Sequence, residues 1–211
     1  MTDITADGTA DTSADIVDVW VDPACPYTWI TSRWLLEAAR VRPLDLRWRL
    51  LSLAALNEGR DDDPEGDPEG YLWLPARVCA AVEEHAGHDG LGRFHLALGA
   101  RVHERGEMDE RTIPAALAEA GLPAALAAAA GSDERDDAVR ASTAAALRRI
   151  GGDHVGTPVV AVGDIAFFGP VLSRIPRGEA AGRLWDGTLL VAGAAGFHEL
   201  KGRPHAAPDF G

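Results

Sequence analysis

Asp22-Pro23-Ala24-Cys25-Pro26-Tyr27-Thr28-Trp29 is the stretch on which the reading of this chain turns. Before it, Ile16-Val17-Asp18-Val19-Trp20-Val21 is β-branched and aromatic, with Val17, Val19 and Val21 on alternate positions, the pattern of a half-buried or central strand. After it, Ile30, Trp34, Ala38 and Val41 recur at steps of four, four and three, one face of a helix. Pro26 suits the first turn of that helix, where its missing N–H has no partner to lose. The spacing therefore predicts Cys25 at the N-cap or first turn, facing free backbone N–H groups and the positive end of the helix dipole. Such positions lower a cysteine pKa from ~8.5 to roughly 3.5–7.5, so an activated thiolate is expected. Asp22 opposes that shift if its carboxylate points at the sulfur. The bland alternative is a small buried cysteine that merely precedes a helix.

Outward from this stretch, the helix is expected to end near Arg42-Pro43. Leu44, Leu46, Trp48 and Leu50 then alternate with Asp45, Arg47 and Arg49, a period-two strand. Strand, helix and strand make a βαβ unit with a right-handed crossover. From Ser52 the character changes: Asn57-Glu58-Gly59-Arg60 leads into an acidic, proline-containing stretch, Asp61 to Gly70, read as a solvated loop. Ala- and Leu-rich helices are expected at about 71–86, 91–105, 112–120, 123–130 and 133–150, punctuated by Gly87, Gly121 and Gly131. Thr112 and Ser132 are the expected N-caps. Beyond Gly151, Thr157-Pro158 opens Val159-Val160-Ala161-Val162, and Gly163-Asp164 turns it into Ile165-Ala166-Phe167-Phe168, a β-hairpin. A last helix is expected from Arg177 to about Leu190, and the polar, partly basic end after Phe197 is expected to wrap the surface. The organisation that follows is an acidic disordered tail over 1–14, an α/β domain of 15–56 and 152–211, and an all-helical insertion over 57–151.

At 211 residues, 46% of them hydrophobic, the chain is long enough for a sizeable core without metal or disulfide staples. A net charge of −13 argues against nucleic acid or an anionic membrane as partner. Two cysteines, Cys25 and Cys79, allow one disulfide at most. The first fifteen residues lack a basic region and an apolar run, so they are not read as a signal peptide. A reducing cytoplasm is the expected setting, where a cysteine at a βα junction points to redox chemistry.

The order strand, Cys-Pro helix, strand, helical insertion, Thr-Pro, hairpin and final helix resembles DsbA-like proteins of the thioredoxin superfamily. The segments D-P-A-C-P-Y-T-W-I-T-S-R-W-L-L-E, L-S-L-A-A-L-N-E-G-R-D-D, V-G-T-P and A-F-F-G-P-V-L-S-R-I-P-R-G-E-A-A-G-R-L-W-D narrow it further. Over about residues 16–200 the chain is similar to the actinobacterial mycothiol-dependent reductase (nitroreductase) family. The resemblance implies a thioredoxin-like α/β fold and a thiol–disulfide oxidoreductase with Cys25 as nucleophile. It implies mycothiol as co-substrate, no tightly bound cofactor, and reduction of a nitro-aromatic compound by some members. It also implies a cis peptide at Thr157-Pro158, facing the cysteine and pairing with substrate backbone; the alternative is an ordinary trans proline opening an edge strand. The family's second cysteine stands three residues after the first, where this chain has Thr28. A dithiol cycle within the motif is therefore excluded.

The remaining expectations are a monothiol cycle in which Cys25 takes the mycothiol moiety and a second mycothiol releases it. Thr28 either donates its hydroxyl to the sulfur or is simply a good early-helix residue. Cys79, beside Val78 and Val82, is either a second resolving thiol or, the favoured reading, buried and inert. His103 matches a histidine of the family's insertion and is either a proton donor or acceptor at the thiol or a surface histidine. Pro26, Tyr27, Asn57, Tyr71, Thr157 and Pro158 are the candidate binding residues, with Tyr27 exposed; Trp73 is either cleft or core. His85, His88 and His95 lack partners at metal-ligand spacing, and no metal is expected. The partners expected are small thiols and mixed disulfides, with the protein a monomer or homodimer. Two rival functions stand beside this one: a kappa-type glutathione transferase or isomerase that activates a bound thiol, and a non-catalytic redox sensor capped at Cys25.

Overall fold

The computed structural model describes residues 14–62, 64–152 and 155–211; the acidic tail, except for Ala14, and Asp63 lie outside them. Strand β1 (Asp15–Val21) carries the alternation read from its valines, with Val17, Val19 and Val21 all buried. It pairs in parallel with β2 (Leu44–Leu50) and antiparallel with β3 (Val159–Val162), which turns at Gly163-Asp164 into β4 (Ile165–Phe168). The sheet order β2-β1-β3-β4 makes β1 central, so the residues leaving its carboxyl end are held on both sides.

Between β1 and β2 runs α1 (Pro26–Ala39), which buries Trp29, Ile30, Trp34, Leu35 and Ala38. It is shorter than its apolar spacing suggests. Val41 lies beyond it and is exposed, because the backbone N–H groups of Val41 and Arg42 turn back to Ala38 O. That turn directs Arg42 to Asp186 and Glu179 on the last helix, α6 (Glu179–Ala192), at 2.7 and 2.8 Å. Trp34 fastens the same pair of helices, with Nε1 donating to Ala181 O and its ring against Trp185.

The segment between β2 and β3 is helical, but its windings differ from the expected ones. A short helix, α2 (Leu53–Leu56), follows Ser52, whose hydroxyl accepts from Ala55 N–H; the polar residues after it hide this helix in the sequence. The expected pair at 71–86 and 91–105 is present: α3 (Trp73–Gly99) is two helical stretches meeting at a kink at Gly87 (φ 64°), the second continued as a π-helical turn over Ala100–Glu104. Thr112 does not cap α4 (Thr112–Glu119): it lies inside the helix and its hydroxyl accepts from Asp109 N–H instead. The expected helix at 123–130 is a 3₁₀ run, Ala124–Gly131. Between Pro123 and Ser132 it is too short for alanine propensity to impose a ladder of α-helical bonds. Ser132 does cap the next turn, accepting from Glu134 N–H, before α5 (Asp136–Ile150).

Two helical glycines set how closely α3 approaches the sheet and α1. A Cβ at Gly92 would overlap the Trp48 indole, and one at Gly99 would overlap the ring of Trp29. Their absence lets two large rings fill the seam between α3 and the α/β layer, with buried His95 between them.

Candidate active site

The strand-to-helix join places Cys25 at the N-cap of α1 with extended backbone (φ −82°, ψ 116°) and Pro26 directly behind it. Its thiol is free and half-buried. The sulfur makes no full capping hydrogen bond. The expectation of a lowered pKa is overturned: burial pushes the Cys25 thiol above its ordinary value. The Thr28 hydroxyl and the N–H groups of Thr28 and Tyr27 face the sulfur and favour its anion, while the Asp22 charge works against it. A helix terminus helps a thiolate only as far as solvent loss allows, and here solvent loss dominates.

Asp22 is the residue whose weight the sequence concealed. It is 1% exposed, and its two carboxylate oxygens each accept one backbone N–H at 2.7 Å, from Ala24 and from Leu53. One bond shapes the cysteine turn and the other ties that turn to α2. Burial raises the Asp22 carboxyl to about 6 despite both bonds. The signal available was an aspartate placed directly after a fully apolar strand end.

The Thr157–Pro158 peptide is cis, and Thr157 is joined to the cysteine turn from three sides. Its hydroxyl accepts from Asp22 N–H (3.2 Å) and lies at hydrogen-bond distance from Thr28 Oγ1 (3.1 Å) and from Trp20 O (3.5 Å). Thr28 is therefore fully buried between sulfur and proline loop. Below it, Thr31 Oγ1 donates to Pro170 O, fastening the loop after β4 to α1.

His103 reaches the turn from the π-helical segment, but on its backbone. Nε2–H donates to Pro23 O at 3.0 Å, and the ring lies over Trp29. Burial keeps its pKa below the ordinary value, so the ring is neutral at pH 7. Tyr27 is half-buried, not open as expected: its hydroxyl donates to Ala206 O and its ring meets His205 of the carboxy-terminal segment. Asn57 caps α2, donating to Glu65 Oε1, on the side of the turn held by Asp22 and Leu53. Tyr71 is not brought to this cluster; it stands 67% exposed at the acidic loop, its N–H donated to Asp67. Trp73 is half-buried beneath the guanidinium groups of Arg77 and Arg140.

Cys79 is 1% exposed within the core, and burial pushes its thiol far up. His95 bonds Ser32 Oγ at 2.9 Å and burial takes its pKa down to about 3. Among the described residues, no group of three His, Cys, Asp or Glu side chains is placed to hold a metal ion. No described helix is long and apolar enough to cross a membrane.

The family model for Rv2466c-like mycothiol-dependent nitroreductases matches residues 24–202, from the cysteine turn to beyond α6. The chain belongs to this family. It is 30% identical over 198 residues to an uncharacterised protein, Rv2286c, of Mycobacterium tuberculosis, covering 92% of this chain and 84% of that one. Solved structures of similar fold include the cytosolic disulfide reductase DsbM from Pseudomonas aeruginosa with GSH, at 20% identity and TM-score 0.54 over 83% of this chain and 99% of that one. A 2-hydroxychromene-2-carboxylate isomerase structure matches at 17% identity and TM-score 0.57 over 83% and 93%. At such identities these two likenesses establish the DsbA-like thioredoxin fold. Family membership places the protein among the mycothiol-dependent nitroreductases, and three residues after Cys25 this chain carries Thr28.

Proposed function

We propose that the protein is a cytoplasmic monothiol oxidoreductase, acting on mixed disulfides of a low-molecular-weight thiol of the mycothiol type. In this reading the helical segment 57–151 is an insertion into a thioredoxin-like domain formed by 15–56 and 152–211. The observation that carries it is the unequal placement of the two thiols: Cys25 lies at the tip of α1 against Thr28 and Thr157, whereas Cys79 is sealed in the core. With no second thiol at position 28 and none accessible elsewhere, the resolving thiol comes from solution.

The cycle balances in two exchanges. Cys25 thiolate attacks the mycothiol sulfur of the mixed disulfide; the Cys25–mycothiol bond forms as the old S–S bond breaks, and the substrate sulfur leaves as thiolate and takes a proton. A second mycothiol thiolate then attacks the mycothiol sulfur of the adduct. Cys25 leaves as thiolate and the mycothiol disulfide departs, so the electron pair that reduces substrate comes from mycothiol. Thr28 and the N–H groups at the tip of α1 stabilise Cys25 both as attacking and as leaving anion. Tyr27, Pro26, Thr157 and Pro158 border the approach to the sulfur. His103 acts as a positioning residue, holding Pro23 and with it the turn.

The test is reduction of a mixed disulfide between mycothiol and a small-molecule thiol by wild type, Cys25→Ala and Cys25→Ser, with mass analysis of the quenched enzyme. Turnover lost in both variants, with a mycothiol adduct on Cys25 of the wild type, supports the cycle. An adduct that forms without turnover makes the protein a thiol-capped sensor. Burial of Cys25 favours one further reading, in which the tip of α1 activates a bound thiol without covalent capture; retained turnover in Cys25→Ser selects it.

A further inference from the structure

The carboxy-terminal segment returns to the cysteine turn after α6 and touches it on both sides. Ala206 O accepts the Tyr27 hydroxyl at 3.2 Å and His205 packs on the Tyr27 ring, two residues after Cys25. Phe210 packs on His103, whose Nε2 holds Pro23 O, two residues before Cys25. Only three residues separate Ala206 from Phe210, so the chain has little slack between its two contacts. The far end is moored: Asp209 N–H donates to Ser173 O at 2.8 Å, and the Asp209 carboxylate meets Arg174 Nε at 3.1 Å. The mooring belongs to the loop after β4 that Thr31 fastens to α1.

We propose that His205–Gly211 is a strap across the mouth of the Cys25 turn that selects substrates by size, admitting small mixed disulfides and holding polypeptide disulfides off the sulfur. The inference rests on the monothiol reading above. Cys25 itself is only half-buried, so a small molecule still reaches it. A polypeptide needs clearance on both sides of the cysteine turn, and those sides are engaged, one through Tyr27 and the other through Pro23, which His103 holds. Pro208 and Phe210 are half-buried whereas residues 201–207 are exposed, which is how a segment seated on a surface by a few side chains looks. The Arg174–Asp209 pair is solvent-exposed, so salt weakens the mooring. Hollows of about 420 and 310 Å³, along α5 near Gly151 and beside the 3₁₀ run at Ala125, are not lined by Cys25.

The experiment compares alkylation of native protein by iodoacetamide and by a polyethylene-glycol maleimide, mapped by mass spectrometry to Cys25 and Cys79. It uses wild type, Phe210→Ala, Asp209→Ala and a chain ending at Pro204. The strap predicts that truncation speeds bulky labelling of Cys25 ~10-fold or more, and iodoacetamide labelling less than ~3-fold, with Cys79 unlabelled throughout. Phe210→Ala and Asp209→Ala should move the same ratio in the same direction by less. Unchanged selectivity in all three overturns the strap, and so does a parallel rise at Cys79, which assigns the effect to a loosened fold. Alkylation needs no turnover: a changed ratio with no reduction of any mycothiol disulfide keeps the strap and removes the functional reading. An unchanged ratio with full turnover does the reverse.

Discussion

Cys25 and Cys79 are two thiols on one protein, both within the field of Asp22, and both held above the ordinary cysteine pKa by burial. One ends a central strand and opens a helix; the other sits mid-helix in α3 with Val78 and Val82 buried beside it. The difference lies in what surrounds each sulfur. At Cys25 a hydroxyl and two backbone N–H groups oppose the desolvation; at Cys79 every influence runs the same way. Reactivity here is a property of the helix terminus and the threonine beside it, more than of cysteine itself.

The broadest break in that contrast is deletion. Cys25→Ala should lower turnover at least ~10³-fold, because no other accessible nucleophile remains. Cys79→Ala should leave turnover within about twofold while lowering urea stability by roughly 1–3 kcal/mol through the cavity it leaves. Equal losses in both variants would dissolve the distinction.

Asp22 sharpens the comparison through pH. Its native carboxyl titrates at about 6 against 3.8 in a free chain, so the folded state binds the proton more tightly. Stability from this group is therefore fullest below the lower value and is lost as pH rises through about 6, by on the order of 3 kcal/mol. Asp22→Asn should flatten that slope in urea titrations between pH 4 and 6 relative to wild type, and should move the Cys25 thiolate absorbance midpoint downward. A midpoint that does not move would remove Asp22 from the electrostatics of Cys25.

Packing under the turn comes next. Gly99→Ala drives a methyl group into the Trp29 ring and should cost roughly 1–3 kcal/mol and disturb Cys25 alkylation. Gly131→Ala meets open space and should be nearly silent in both measurements. A smaller effect, confined to Cys25, belongs to Thr28→Val. Losing the hydroxyl should shift the Cys25 midpoint further into alkali and slow iodoacetamide labelling at pH 7 by roughly 3–10-fold, the worth of one hydrogen bond to an anion. In wild type the same labelling should accelerate with pH through a midpoint above that of an ordinary thiol.

Much of the architecture was legible in local pattern. The valines of β1, the alternation of Leu44 to Leu50 and the Gly-Asp turn each state a period or a chain reversal within a few residues. Cys25 at the cap of α1 followed from Pro26 together with the strand before it and the helical spacing of Ile30, Trp34 and Ala38. Less legible were the windings between Thr112 and Ser132, where alanine-rich composition permits α or 3₁₀ hydrogen bonding. Val41 matched the helical face, yet Arg42 drew the chain away to a partner 144 residues on.

What the sequence by itself determined is the join: an apolar strand, a cysteine and a proline-led helix, because strand period, proline geometry and capping act over one or two turns of chain. Tertiary structure alone decided the charge balance at that cysteine. Desolvation, the buried Asp22 and the approach of Thr157 come from segments that meet only when the chain is folded. The same holds for the strap at Tyr27 and His103, since the free energy of an ionised sulfur depends on everything within a few ångströms and not on its neighbours in sequence.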